Sequence, residues 1–299
     1  MKAAAFLFAT LVPVLLAAQQ LLVPASAEVQ DELVFNPAFV ARNSVRSISG
    51  TLLVKREGQP MRERNEKHLY RFDEQGRITY SNISFGHPGS GRDTASVGFF
   101  YDAKGRLIQR LRNDLSGHFA YEITCDTLGR TTRMTYVRIA NTGSDRYHLV
   151  PGVRTVISDE EHRYTTINDT AWTCTYLNEL GLPYREQVFQ RDRWGYLRAI
   201  DDRYIITGRR GRIAFRYDEK GRLAERTEQA DLRLQTQLKH SWRYDAAGNV
   251  LEHDLWHDDR LKAHNEYLYE EGSMLLKACI TKDEDTGLIH VVKYTTERR

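Results

Sequence analysis

The chain has few cysteines and no large excess of charge of either sign. Its 299 residues include three cysteines, 43 Lys and Arg residues, and 40 Asp and Glu residues. Three cysteines allow at most one disulfide bridge within the chain, which excludes a disulfide-rich scaffold. The near balance of positive and negative charge argues against electrostatic binding of nucleic acid. No Cys-x-x-Cys occurs, so we expect neither metal binding nor redox use of the cysteines, and the sequence predicts no cofactor.

Recognisable catalytic motifs are also missing, including Gly-x-Ser-x-Gly and His-Glu-x-x-His. The glycine-rich stretch 86–93 lacks the lysine and following helix of a phosphate-binding loop, and the acidic stretch 282–287 lacks the spacing of a calcium loop. In the stretch 252–267, a β-strand would place His253 and His257 about 13 Å apart, which is too far for one metal ion. All three stretches are better interpreted as strands, loops and turns, and we expect no metal site.

A long apolar stretch lies at the N terminus. Residues 1–27 combine a positive charge, this apolar stretch, and Ala25 and Ala27 at the spacing of an A-x-A cleavage site. The pattern predicts a secretory signal cleaved between Ala27 and Glu28, so we expect a periplasmic or secreted protein. The alternative, an uncleaved membrane anchor, is disfavoured by a proline and a glutamine pair in the stretch.

One short pattern returns along the chain: an aromatic residue or cysteine, then aspartate, then glycine three residues later. Five clear copies read YRFDEQGRI (70–78), FFYDAKGRL (99–107), EITCDTLGR (122–130), FRYDEKGRL (215–223) and WRYDAAGNV (242–250). Aspartate closes a turn by accepting backbone N–H groups, and glycine supplies a positive φ. Each copy is therefore predicted to be a hairpin turn. The predicted turn residues are Asp73 and Gly76, Asp102 and Gly105, Asp126 and Gly129, Asp218 and Gly221, and Asp245 and Gly248.

The residues around the turns alternate between apolar and polar. In residues 232–244 the even positions are mostly apolar and the odd positions are mostly polar, which predicts a strand with one buried and one wet face. Such strands are typical of antiparallel sheets. In most copies the aromatic residue is followed six residues later by an aliphatic one, and the two would face each other across the hairpin. The predicted pairs are Phe72 with Ile78, Tyr101 with Leu107, Tyr217 with Leu223, and Tyr244 with Val250.

This turn pattern resembles that of the YD-repeat, or Rhs-type, proteins, over roughly residues 70–294. The resemblance implies an all-β protein with an extended antiparallel sheet, open or partly curled. In long members the sheet surrounds a toxin domain, and a carbohydrate-binding role is proposed for some. This chain lacks the Asp-Pro dipeptide of their self-cleavage site, and its repeats run almost to residue 299. We therefore expect a short exported relative without a toxin, with an edge or capping segment at 28–69 and a repeat domain at 70–299.

Two of the cysteines, Cys125 and Cys174, occupy positions that are aromatic in other copies of the pattern. Their side chains are therefore predicted to point to the same side of the sheet as those aromatic residues. Either a disulfide bridge between them or buried free thiols would fit this placement.

The leading functional hypothesis is an exported, non-enzymatic binding or scaffold protein. Arg, Tyr and Trp on a broad sheet are good interface anchors, and the partner would be an envelope protein, a secreted toxin or a surface glycan. One alternative is a glycan hydrolase with a carboxylate pair in a sheet cleft. Another, an outer-membrane barrel, is disfavoured because 28% of the residues are charged. The candidate binding residues are Trp172, Trp194 and Trp256, together with Arg209, Arg210 and Arg212 of a basic turn.

Overall fold

A computed structural model describes residues 20–24, 33–85, 89, 95–114 and 116–299. Most of the predicted signal segment, including its cleavage site, lies outside these residues. The described chain forms twenty β-strands and one short helix. None of its helical segments is long and apolar enough to cross a membrane.

In the first half of the chain the elements are β1 (Leu22–Val23), β2 (Val34–Phe35), α1 (Pro37–Arg42), β3 (Val45–Lys55), β4 (Arg62–Phe72), β5 (Ile78–Phe85), β6 (Ala95–Tyr101), β7 (Leu107–Asp114), β8 (Gly117–Cys125) and β9 (Thr131–Asn141). In the second half they are β10 (Pro151–Asn168), β11 (Ala171–Leu177), β12 (Pro183–Arg191), β13 (Leu197–Tyr204), β14 (Arg210–Tyr217), β15 (Leu223–Gln229), β16 (Leu238–Tyr244), β17 (Val250–His257), β18 (Arg260–Tyr269), β19 (Leu276–Asp283) and β20 (Ile289–Arg298).

Eighteen strands, β3 to β20, form one closed antiparallel barrel. The barrel closes where β20 pairs with β3, from Ile289 opposite Lys55 to Arg298 opposite Val45. The prediction of an open or partly curled sheet is therefore wrong. β3 lies in the segment 28–69, which carries no repeat signature, yet its edge supplies the hydrogen-bond partners of the last strand. A barrel of this strand number is wide enough to enclose a lumen.

The two ends of the barrel carry different kinds of connection, because antiparallel strands place successive connections at opposite ends. One end, which we call the repeat end, carries all five clear Asp-x-x-Gly copies. These copies join β4 to β5, β6 to β7, β8 to β9, β14 to β15, and β16 to β17. The opposite end, the loop end, carries the connections 142–150, 178–182, 205–209 and 230–237. The clear repeats thus all turn the chain at the same rim.

Each of these five copies is a turn closed by its own aspartate. In the first copy the N–H of Gly76 donates to the Asp73 carbonyl oxygen at 2.9 Å, and Gly76 has a φ of 77°. Asp73 Oδ1 accepts the N–H of Arg77 at 2.9 Å, and Oδ2 accepts Arg77 Nε at 2.7 Å. The same contacts recur in three other copies, at Asp102, Asp126 and Asp218. The fifth copy has an asparagine in place of the arginine and keeps the turn.

Neighbouring hairpins are joined by the aromatic residue of the repeat. The Tyr101 hydroxyl donates to the Ile78 carbonyl oxygen at 2.8 Å, and the Tyr244 hydroxyl donates to that of Leu223 at 2.6 Å. The Arg77 guanidinium lies 4.6 Å from the centre of the Tyr101 ring. The ring of one hairpin therefore anchors the start of the preceding hairpin's returning strand. The four predicted cross-strand pairs are confirmed, with Phe72 opposite Ile78, Tyr101 opposite Leu107, Tyr217 opposite Leu223, and Tyr244 opposite Val250.

The barrel wall has two chemically different faces, because side chains alternate along each strand. One, the aromatic face, carries the buried side chains of Tyr70, Tyr176, Phe215, Trp242 and Tyr294. The other, the charged face, carries cross-strand ion pairs between Arg133 and Asp159, Arg216 and Glu225, and Arg243 and Glu252. The strand registers keep both faces continuous from one strand to the next.

The main hydrophobic cluster of the described chain lies at the repeat end, where residues 20–24 and 33–43 pack against the barrel. Its members from these segments are Leu21, Leu22, Phe35, Phe39 and Val40. Those from the barrel include Ile48, Tyr70, Phe72, Leu276, Cys279 and Tyr294. The two N-terminal segments thus form a cap on this end.

Helix α1 sits directly on the first repeat turn. Asn36 caps the helix, because its side chain accepts the N–H of Ala38 at 3.1 Å, and Pro37 occupies the first turn. A Cβ atom at Gly76 would lie 2.0 Å from the Pro37 carbonyl oxygen. Gly76 is therefore required both by its positive φ and by the approach of the helix.

None of the three cysteines forms a disulfide, so the bridge between Cys125 and Cys174 does not form. Cys125 lies on β8 and Cys174 on β11, with two strands between them. Three strand spacings amount to about 14 Å along the sheet, whereas a disulfide needs Cα atoms within about 7 Å. The alternative of unbridged thiols describes this pair: Cys174 is buried and Cys125 is partly exposed.

The strand predicted over residues 232–244 is shorter than expected. Only Leu238–Tyr244 forms β16, and residues 230–237 are a loop. Asp231 causes the difference, because its side chain accepts the N–H of Arg233 at 3.0 Å and its carbonyl oxygen accepts that of Leu234 at 3.0 Å. This local turn replaces the strand.

Candidate interaction site

The predicted binding residues Trp172 and Trp194 both lie near the repeat end. Trp172 stacks on Phe189 of the next strand, with ring centres 5.0 Å apart and an interplanar angle of 6°. The Arg191 guanidinium lies 4.7 Å from the Trp172 ring. Trp194 is exposed in the β12–β13 turn, with the Arg193 guanidinium 4.1 Å from its ring. The two tryptophans are thus aromatic–arginine stacks on neighbouring hairpins.

The three predicted arginines lie at the opposite end of the barrel. Arg209 ends the loop-end connection 205–209, and its guanidinium lies 4.1 Å from the Tyr204 ring. Arg210 begins β14, and Arg212 lies 3.5 Å from an Asp201 carboxylate oxygen. The structure therefore separates these arginines from Trp172 and Trp194.

Trp256 belongs to neither group. It lies on β17, where the Lys239 ammonium is 4.6 Å from its ring centre. The registers place Lys239 and Trp256 opposite each other on the charged face. The six candidate residues thus do not form one binding surface.

The aromatic face also carries a polar cluster, which the sequence does not reveal because its two histidines lie on different strands. His240 Nδ1 and His253 Nε2 are 2.9 Å apart, and both rings stack with Trp242. Burial, followed by the positive charge of Arg226, lowers the pKa of His240 to about 3. Arg226 is itself ion-paired with Glu228 at 2.8 Å. The His240–His253 contact and the stacking on Trp242 make this cluster a structural unit, and no three His, Cys, Asp or Glu residues of the described chain are arranged to hold a metal.

Two cavities open near β7 and share one carboxylate. The larger, of about 570 Å³, is lined by Asp114, His118, Arg138 and Arg146 among others. The smaller, of about 160 Å³, includes Asp114 but no other acid. Burial lowers the pKa of His118. Glycoside hydrolysis needs two carboxylates flanking one bond, and neither of these cavities supplies the second.

The strand β10 extends beyond the strand that follows it in the barrel. Residues 151–161 pair with β9, whereas only residues 161–168 pair with β11. Residues 151–160 therefore leave one edge unpaired among the strands that the structure describes. This edge is about 30 Å long, and its end at Glu160 lies next to the 178–182 turn, which begins where β11 ends opposite Glu161. We call residues 151–160 the overhang.

Exposed aliphatic side chains gather around the overhang and the loop-end connections after it. The most exposed are Ile206 at 86%, Leu180 at 74% and Val153 at 74%. The other members are Val150, Val156, Ile157, Leu182, Ile205, Leu232 and Leu234. We call this set and the overhang together the loop-end surface.

Backbone hydrogen bonds join the connections of this surface to their neighbours. The N–H of Ile205 donates to the Tyr184 carbonyl oxygen at 2.9 Å, which ties the 205–209 connection to the start of β12. The N–H of Leu232 donates to the Arg210 carbonyl oxygen at 2.8 Å, which ties the next loop to β14. The aliphatic tips therefore belong to one continuous rim. Their sequence signal is leucine and isoleucine inside turn segments, as in NELGLP (178–183) and YIITGRR (204–210).

Comparison with known proteins gives no family for this chain. No protein-family model matches the sequence, and no curated protein matches it. The resemblance to YD-repeat proteins is therefore wrong as an assignment: the shared turns build a closed barrel of eighteen strands here, and no family model supports the link.

Several solved structures are similar in shape at low sequence identity. A porin-like protein from Bacteroides uniformis is 13% identical, with 85% of this chain and 98% of that chain covered and a TM-score of 0.38. A LolA superfamily protein from Nitrosomonas europaea is 10% identical, with 89% and 94% covered and a TM-score of 0.24. A DUF1329 family protein from Desulfovibrio piger is 10% identical, with 85% of each chain covered and a TM-score of 0.17. Likenesses this distant carry no argument about function, which has to come from the surfaces of the chain itself.

Proposed function

We propose that this chain is an exported, non-enzymatic binding protein that takes up an extended segment of a protein partner at its loop-end surface. The observation that carries the proposal is the overhang of β10, an unpaired strand edge with exposed aliphatic side chains beside it. The N-terminal leader pattern supports export. The partner class is therefore a protein of the cell envelope or its surroundings.

An unpaired edge of this kind is a template for one more strand. Its backbone N–H and C=O groups are available to an incoming extended segment, and natural proteins normally protect such edges. Strand addition is a common mode of peptide recognition, in which the backbone gives affinity and alternate side chains give specificity. Arg154, Thr155 and Val156 alternate in register with β9, with register shifts on either side of them. The exposed side chains of Val153, Val156 and Ile157 offer apolar contacts to an added strand.

The loop-end connections that follow the overhang also carry exposed aliphatic side chains. Leu180 and Leu182 lie in the turn beside the overhang, and Ile206 follows on the next loop-end connection. Contiguous apolar patches on soluble proteins mark interaction sites. Arg210 is exposed at the margin, at the start of β14, so an acidic group flanking an apolar segment would suit this rim.

Water on both sides of the barrel wall fits this proposal better than contact with lipid tails. The charged face carries the cross-strand ion pairs described above. The aromatic face carries ion pairs too, between Arg226 and Glu228 and between Arg185 and Asp202. Neither face therefore offers the uncharged band that lipid tails require.

The proposal is tested by photo-crosslinking in cells of the native host. A photoreactive amino acid at position 156 should crosslink to a protein through an extended segment of that protein, identified by mass spectrometry. The matched control carries the same amino acid at Leu128, which is 76% exposed in a turn at the repeat end and should give no such product.

Two substitutions then test the affinity for the identified partner. Val153→Lys protects the edge in the way that natural edge strands use lysine, and Ile206→Asp removes an apolar tip. Burying one aliphatic side chain is worth about 1.5–3 kcal/mol, so each change should weaken binding by at least about tenfold. Leu128→Asp should leave binding unchanged. Equal crosslinking at positions 156 and 128, or crosslinks only to a second copy of this chain, would overturn the proposal.

A further inference from the structure

Residues 20–24 are part of the folded core, although they lie inside the segment predicted to be removed as a signal. Leu21 is 0% exposed and Leu22 is 3% exposed. Leu22 pairs with Phe35 and Val23 with Val34, so β1 and β2 form a two-stranded sheet. Burial this complete requires the presence of both strands.

The same segment supports the start of helix α1. The N–H of Asn36 donates to the Leu21 carbonyl oxygen at 2.8 Å, and Asn36 is the residue whose side chain caps the helix. A Cβ atom at Gly248 would lie 4.0 Å from Gln20 Oε1, so the segment also reaches a repeat turn late in the chain. Residues 20–24 therefore connect the helix to the rim of the barrel.

Cleavage after Ala27 would take this strand out of the protein. The hydrophobic cluster would lose Leu21 and Leu22, and Phe35 of β2 would lose its paired residue. The Asn36 N–H would lose its acceptor as well. Upstream of the strand, Ala17 and Ala18 end the apolar stretch and place one small residue directly before a cut, whereas Leu15 or Leu16 occupies the position of the other small residue of the A-x-A pattern.

We propose that the mature protein keeps residues 20–24 and that its leader is removed upstream of Gln20, after Ala17 or Ala18. The first strand of the mature protein is then β1, which pairs with β2 and packs into the cap at the repeat end. This inference does not depend on the function proposed above.

The first test uses the full chain with its own leader, expressed for export with a C-terminal tag. Lysine at the residue before the cut blocks signal cleavage, because that position requires a small side chain. The Ala17→Lys/Ala18→Lys variant should accumulate as uncleaved precursor, and Ala27→Lys should be processed like the wild type. The N-terminal peptide of the exported wild type should contain Leu21 and Leu22. Precursor accumulation with Ala27→Lys alone, or a mature chain that starts at Glu28, would overturn the inference.

The second test compares the exported, processed form of Leu22→Asp with that of the wild type. If residue 22 stays in the protein, the purified variant should differ from the wild type in mass and should unfold at a clearly lower temperature, because a carboxylate would replace a buried side chain. If cleavage removes residue 22, the two purified proteins are chemically identical. Identical masses and unfolding temperatures would therefore contradict the proposal directly.

Discussion

The hydroxyl of the repeat tyrosine joins adjacent hairpins, and its removal offers a direct measure of that joint. Tyr244→Phe deletes the hydrogen bond of 2.6 Å to the Leu223 carbonyl oxygen. It keeps the ring and its contact with the Arg222 guanidinium, 4.4 Å from the ring centre. A hydrogen bond of this kind contributes a net ~0.5–1.5 kcal/mol, and a carbonyl left without a partner costs ~1–3 kcal/mol. We therefore expect a loss of about 1–2 kcal/mol in the free energy of unfolding.

Urea unfolding measures this loss through the midpoint at constant slope. The matched control is Tyr121→Phe, because the Tyr121 ring stacks on Tyr136 at 4.5 Å and its hydroxyl donates to no residue of the described chain. That change should alter the free energy of unfolding by no more than about 0.5 kcal/mol. If Tyr244→Phe and Tyr121→Phe are equally stable, the tyrosine hydroxyl does not hold the hairpins together, and the physical reason given for the repeat fails.

Three further predictions concern the turns, the thiols and a histidine. Gly76→Ala should destabilise the protein by about 2–4 kcal/mol and Gly129→Ala by only about 1–2 kcal/mol. Both glycines have positive φ, but only Gly76 lies against helix α1. Urea unfolding of both variants measures the difference, and equal losses would contradict the packing of α1 on this turn. Alkylation of the folded protein should modify Cys125 well before the two buried cysteines, as peptide mass spectrometry would show, and uniform labelling would argue against their burial. The pKa of His264 is raised by its hydrogen bond to Asp254 at 2.6 Å, so its contribution to stability is complete below about pH 6.5 and is lost as the pH rises through the raised pKa. The unfolding midpoint of Asp254→Asn should therefore fall less over this range than that of the wild type. An unchanged pH profile would exclude this pair as a source of stability.

The turns were predictable from sequence because their chemistry is local. An aspartate that accepts the N–H groups of the next residues and a glycine with positive φ lie within four positions of each other. A short stretch of sequence therefore contains every residue that the turn needs. The cross-strand pairs follow from the same window, because Phe72 and Ile78 are held opposite each other by the turn between them. The hairpins, the antiparallel direction of the strands and the two faces of the sheet can therefore be predicted from the sequence.

Closure of the barrel was not predictable, because it depends on two strands at opposite ends of the chain. β3 has no Asp-x-x-Gly turn before it and does not look like a repeat, yet Ser49 pairs with Thr295 across the closing seam. Alternation shows which side chains share a face, but it does not show whether the last strand pairs with the first strand of the sheet. The resemblance to repeat proteins implied an open or partly curled sheet, and the alternation of residues could not correct this expectation.

The candidate site was only partly visible in sequence. Trp194 and Arg209 are both predicted binding residues, but they lie at opposite ends of the barrel. The alternation of Leu232 and Leu234 with polar residues predicts that they lie on a buried strand face. The local turn at Asp231 places them on an exposed loop instead. The unpaired edge of β10 is invisible in sequence, because it depends on how far a neighbouring strand extends.

The closed barrel is tested most directly by a covalent link across its closing seam. Ser49 and Thr295 are paired and exposed, and paired residues of antiparallel strands have Cα atoms about 4.5–5.5 Å apart, within the range of a disulfide. The variant Ser49→Cys/Thr295→Cys should form an intramolecular bridge under mild oxidation, identified by peptide mass spectrometry, without loss of stability. A control with Ser49→Cys and Ser241→Cys, on strands far apart in the barrel, should stay unbridged. A seam pair that stays as unbridged as this control would contradict the closed barrel.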